Sequence, residues 1–165
     1  EKWQRGLRTV EWITANMPAT ARFQIVTFAE EATAVDQTSD GRWLSAETPQ
    51  ALENALNQLA DLTPNGGSNL HAAFGAIQNL DPLPDNVFLI TDGLPTQGVR
   101  PAKGSLVSAR DRLQHFTDAM TTLNLTVPIN VILLPMEGDP VASPSFWRLA
   151  QITGGAFLSP ARDWP

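Results

Sequence analysis

The chain is 165 residues long, enough for one domain with a real hydrophobic core and no need of covalent staples. A hydrophobic content of 42% against 17% charged residues places it among globular chains and not among disordered ones. The net charge of −6, with no long Lys/Arg run, excludes a basic nucleic-acid footprint, and the lack of cysteine excludes disulfides, thiolate metal sites and a cysteine nucleophile.

Residues 1–17 read as a helix. Trp3, Leu7, Val10, Ile13 and Met17 fall three or four apart and line one face, and Asn16 and Pro18 mark the end. Phe23 to Phe28 reads as a short strand, Ala29-Glu30-Glu31 as its connection, and Ala32 to Val35 as a returning strand. Thr38-Ser39-Asp40-Gly41 is a turn cluster, with Trp43 and Leu44 packed near it. Thr48-Pro49 starts a second helix, with a hydroxyl cap and proline in its first turn, and Leu52, Leu56, Leu59 and Ala60 as its stripe.

Pro64 to Asn69 is a glycine-rich loop. A third helix follows with Leu70, Phe74, Ile77 and Leu80 on one face, ended by Asp81-Pro82-Leu83-Pro84-Asp85. Val87-Phe88-Leu89-Ile90 is a continuous apolar run leading into Thr91, as in a strand buried on both faces of a parallel sheet. Asp92 then stands at its carboxyl end, where open α/β sheets bind ligands, and Gly93 lets the chain turn.

An irregular stretch reaches Gly104. Ser105 is the expected cap of a long helix with Leu106, Ala109, Leu113, Phe116, Met120 and Leu123 as its stripe. Val127 to Leu134 is a second buried strand with Pro128 near its start. Ser143-Pro144 opens a helix closed by Gly154-Gly155, and Ala156 to Leu158 is a last strand. Residues 1–159 thus form one domain and 160–165 an irregular tail, in which Trp164 is expected to contact something outside the domain. Alternation of strands and helices gives an α/β class: a Rossmann-like three-layer sandwich, its sheet mostly parallel with one antiparallel edge strand, and helices on both faces. No apolar run is long enough to span a bilayer, and no signal peptide is visible. The chain begins with Glu1, as expected of a piece of a longer protein with neighbouring domains.

Two loops can converge at the strand ends, Gly66-Gly67-Ser68-Asn69-Leu70 and Thr91-Asp92-Gly93. A hydroxyl and a carboxylate are hard oxygen ligands, suited to Mg²⁺, Mn²⁺ or Ca²⁺ and not to zinc or copper. Ser68 is equally a helix N-cap, and Asp92 equally an acid bonding loop amides. The phosphate-loop pattern Gly-x-x-x-x-Gly-Lys-[Ser/Thr] is absent. Neither His71 nor His115 follows a nucleophile elbow. His71 reads as packed or solvated, and His115 as surface. Glu30, Glu31, Glu137 and Asp139 read as solvated acids, the last two within reach of the ligand rim.

The order Ile25-Val26-Thr27-Phe28, then Gly66-Gly67-Ser68-Asn69-Leu70, then Thr91-Asp92-Gly93-Leu94-Pro95-Thr96 resembles the von Willebrand factor type A domain over nearly the whole chain. The resemblance implies a protein-binding module of bacterial character that is not an enzyme. Its divalent cation, Mg²⁺ or else Mn²⁺ or Ca²⁺, would be met by Ser68 and Asp92, with Asn69, Gly93 and Thr96 as the partner-binding rim. An acidic side chain of a protein partner would complete the metal shell. No Asp-x-Ser-x-Ser, the family's first metal loop, occurs in the sequence. The first strand and its loop are therefore expected to be missing from this chain. In family members that strand lies between those resembling 23–28 and 87–91. Leaving its neighbours unpaired would cost about 1–3 kcal/mol for each buried orphan group. The alternatives are a metal-free scaffold that assembles with neighbouring domains and a metal-dependent hydrolase, which would need a general base beside the metal.

Overall fold

The computed structural model describes all residues except 40, 100–106, 124–125, 135–137, 162–163 and 165. The helix expected at the amino terminus is α1, Lys2–Ala15. The single strand expected over 23–28 is instead two, β1 (Arg22–Phe23) and β2 (Val26–Phe28). Gln24 causes the break. Its Oε1 accepts the Ile25 N–H at 3.0 Å, while its Nε2 donates to Arg42 O at 2.7 Å and to Ser39 Oγ at 3.1 Å. A backbone donor is thereby taken from the ladder by a side chain. β2 pairs antiparallel with β3 (Ala32–Ala34), and β1 pairs antiparallel with β4 (Leu44–Ser45).

Helix α2 spans Pro49–Asp61 with Thr48 at the N-cap position and proline in the first turn, but the expected hydroxyl cap is not made, since the Thr48 side chain forms no capping hydrogen bond. α3 spans Leu70–Gln78 and leads to β5, Val87–Thr91. α4 is Ala109–Met120, capped by Ser108, whose Oγ accepts the Asp111 N–H at 3.1 Å. The expected cap Ser105 and Leu106 lie outside the described residues. β6 (Ile129–Leu133), α5 (Ala142–Thr153) and β7 (Phe157–Leu158) complete the order. Gly154 ends α5 in the left-handed region, with φ 75°.

The parallel part is β5-β6-β7, with Leu89 opposite Val131 and Val131 opposite Phe157. Side chains alternate across a strand. Val87, Leu89, Ile129, Val131 and Leu133 meet Phe74 of α3, Phe116 of α4 and Phe146 and Leu149 of α5 in the main core. Phe116 and Phe146 stack edge to face, centroids 5.2 Å apart. On the other face Phe88 and Leu158 remain 46% and 42% exposed, so helices cover that side only in part. α1 lies against β5 and α2, and its Leu7 shares a smaller cluster with Val35 and Leu59. Trp164 does not point away from the domain. It packs on Trp12 of α1, centroids 5.2 Å apart.

The expected continuous sheet is divided. Among the described residues β2 pairs only with β3, and β5 only with β6, so each keeps one edge with no ladder. The antiparallel component is two separate pairs instead of one edge strand.

Candidate functional site

Asp92 follows β5 directly, and Thr91 Oγ1 donates to Gly93 O at 3.1 Å, which folds the chain back over the strand end. The Asp92 carboxylate is about half exposed, and it is paired: Lys2 Nζ, from the first turn of α1, lies 3.1 Å from Oδ2. Gly93 is buried.

Ser68 is not the cap of α3. That role belongs to Asn69, whose Oδ1 accepts the Ala72 N–H at 3.3 Å. Ser68 is committed through its backbone. Its N–H donates to Thr96 Oγ1 at 3.0 Å, and its carbonyl accepts the N–H groups of Thr96 and Gln97, both at 3.0 Å. Its own Oγ takes no hydrogen bond among the described residues and is left to a ligand or to water. Gly67 makes this crossing possible, since a Cβ there would stand 2.6 Å from Thr96 Oγ1 and Gln97 Cγ. Thr96 is therefore a strut between two loops. Asn69 adds a second tie: its N–H donates to Ala29 O at 2.8 Å and its Nδ2 to Glu30 O at 3.0 Å. Three segments thus meet at one edge: the turn after β2, the start of α3 and the loop after β5.

Several residues at this edge carry no sequence signal of their role. Glu30, read as a solvated acid, reaches Gln97 Nε2 at 3.5 Å. Asp139, also read as solvated, has its side chain buried. Its Oδ2 accepts the Leu94 N–H at 2.8 Å and pairs with Arg112 Nη2 at 2.8 Å. Glu137 lies outside the described residues, and Glu31 is exposed. His115, expected at the surface, is half-buried against Gly98, where a Cβ would collide with its Nδ1. His71 and His115 face a cleft beside α4 with Asp111 and Asp118. The Ser108 hydroxyl holds the Asp111 carboxyl below its ordinary value.

Chemically, the edge offers one half-exposed carboxylate and one unengaged hydroxyl. Both are hard donors, which fits a water-rich Mg²⁺ or Mn²⁺ site with few protein ligands. It does not fit a closed site: among the described residues no three His, Cys, Asp or Glu side chains come together to hold a metal. The Lys2 ammonium already neutralises the carboxylate.

The fold is α/β of the von Willebrand A type. A solved structure, a von Willebrand factor type A protein from Catenulispora acidiphila, matches 94% of this chain with a TM-score of 0.62 at 18% identity. The chain spans 33% of that protein's length. No family model matches the sequence, and no curated protein matches it. Among the described residues no helix is long and apolar enough to cross a membrane.

Proposed function

We propose that this chain is a protein-binding module that meets its partner at the carboxyl edge of β5. The observation that carries this reading is the tying of Ser68, Asn69 and the Asp92–Gln97 loop into one fixed edge with an exposed carboxylate. In its fuller form, a divalent cation (Mg²⁺ first, Mn²⁺ or Ca²⁺ otherwise) sits between Asp92 and Ser68, and a partner carboxylate completes its shell. Asn69 and Thr96 then shape the rim from beneath, and Gly93 permits the turn. The module binds and does not catalyse, and it works beside neighbouring domains of a longer protein. Calorimetric titration of Mg²⁺ and Mn²⁺, with Asp92→Ala as control, tests the cation. Saturable binding lost in the variant supports it, and equal heats in both chains reject it.

The Lys2–Asp92 pair favours a second reading, a metal-free scaffold in which α1 itself occupies the carboxylate. Partner capture that persists in a chelator and survives Asp92→Ala would select it.

We infer further that a strand belongs between β2 and β5, completing a sheet with helices on both faces. The bare edges of both strands support this. So do Trp3 Nε1 and Arg5 Nε of α1, both buried without a hydrogen-bond partner among the described residues.

A further inference from the structure

We propose that Arg112 and Asp139 are positioning residues for the binding edge, acting through the backbone of Leu94; this rests on reading the Asp92 loop as that edge. Asp139 Oδ2 accepts the Leu94 N–H at 2.8 Å, and the same oxygen lies 2.8 Å from Arg112 Nη2. Arg112 closes the ring, since Nη2 and Nε both donate to Leu94 O, at 2.6 and 3.1 Å. Both polar groups of a single residue are thus held by one ion pair. The pair's side chains are 12% and 4% exposed, and Leu94 is 1% exposed. Three elements converge here: α4 brings Arg112, the approach to α5 brings Asp139, and the loop after β5 brings Leu94.

Filling the core does not require this pair. An apolar pair would avoid the desolvation of two charges, though it would leave both polar groups of the buried Leu94 without partners. What an apolar pair lacks is direction. A guanidinium fork and a carboxylate fix the orientation of the peptide they grip. Leu94 lies in the short loop between Asp92 and Thr96, and Thr96 holds Ser68 through two hydrogen bonds, with a third from the Gln97 N–H. The orientation of Leu94 therefore sets where the Asp92 carboxylate stands relative to the Ser68 hydroxyl. The clamp ties that relation to α4 and α5, which are anchored in the main core by Phe116, Phe146 and Leu149.

The test compares three forms of the whole chain: unchanged, the paired Arg112→Met/Asp139→Leu replacement, and Arg112→Lys. The paired replacement removes both charges and both partners of Leu94, and it adds bulk at position 139. Arg112→Lys keeps a charge opposite Asp139 and loses the fork on Leu94 O. Urea midpoints report the fold, amide exchange at Leu94, Thr96 and Gln97 reports the loop, and titration with Mn²⁺ alone reports the site. The expected result is a lowered midpoint for the paired replacement, because the Leu94 N–H and carbonyl both lose their partners, with exchange at the three amides faster by about tenfold or more beyond any change in the core strands. Mn²⁺ affinity should fall about fivefold or more as donor geometry loosens. Arg112→Lys should shift the loop and the affinity in the same direction by less. Unchanged exchange in both variants overturns the proposal, whatever the metal does. Faster exchange in a chain that binds no Mn²⁺ even when unchanged upholds the clamp and rejects the cation. Should the paired replacement unfold, the same amides in Arg112→Lys decide.

Discussion

The ammonium of Lys2 lies 3.1 Å from Asp92 Oδ2, joining residues 90 positions apart. Both side chains are nearly half exposed, so the pair belongs to the class worth about 0–1 kcal/mol. It is weak enough to be displaced by a divalent ion that gains more from the same carboxylate. Lys2→Met should therefore raise Mn²⁺ affinity about two- to fivefold at low ionic strength, and less at high salt. Titration at two salt concentrations measures this. An affinity that does not move, or that falls, would mean that Lys2 is no competitor at the site.

Gly67 sits where the start of α3 and the loop after β5 cross. A methyl group there meets Thr96 Oγ1 and Gln97 Cγ, each at 2.6 Å. Gly67→Ala should cost about 1–3 kcal/mol, the range for overpacking a tight contact. Urea denaturation gives the value. A change below a few tenths of a kcal/mol would show that the strut yields freely.

Asp36 offers a pH-dependent test. Its carboxyl lies below the ordinary 3.8, chiefly because Oδ1 accepts the Thr38 hydroxyl, at 2.6 Å, together with the Thr38 N–H, at 2.9 Å. The folded chain thus favours the charged form. The stabilisation is complete above the ordinary value and is lost as pH falls through the folded one. Asp36→Asn should lower the urea midpoint near neutral pH, and the gap from the unchanged protein should narrow below about pH 4. A gap that stays constant down to pH 2 would refute the assignment.

The proposal of a strand between β2 and β5 predicts a gain from an added strand. A designed segment of five or six β-branched residues, joined ahead of Glu1 by a short flexible linker, should raise the melting temperature by about 2–4 °C, what 1 kcal/mol gives in a domain of this size. It should also slow amide exchange in β5. No change in either would indicate that no strand is accepted there.

The helices were legible in the sequence because their signals are local. Thr48-Pro49 and Gly154 mark boundaries through backbone chemistry that needs no distant partner. The parallel β5-β6 pair was legible for a similar reason, since each strand is a short apolar run bounded by turn residues. The unread parts depend on contacts between remote segments. Ser68 and Asn69 are neighbouring residues of equal capping aptitude, and the choice falls to Asn69 because the Ser68 backbone is committed to Thr96. Asp139 looks like any acid in a polar loop until Arg112 arrives from another helix. Gln24 breaks a strand whose pattern is otherwise sound, by spending its side chain on Ile25, Ser39 and Arg42. Lys2 stands at a helix start like many lysines, and only the folded chain brings it to Asp92.

The tie made by Ser68 and Asn69 also has a thermodynamic consequence. It joins the turn of the β2-β3 ladder to the loop following β5, at the same edge where the exposed carboxylate stands. No ladder joins the two half-sheets elsewhere among the described residues. A partner that grips this edge holds both halves together, and it binds a surface that exists only while they are together. Occupancy and cohesion are then linked by mass action: each tenfold rise in partner concentration above its dissociation constant adds about 1.4 kcal/mol to the stability of the pairing. The same linkage makes a loosened domain a poor binder even when every residue of the edge is intact.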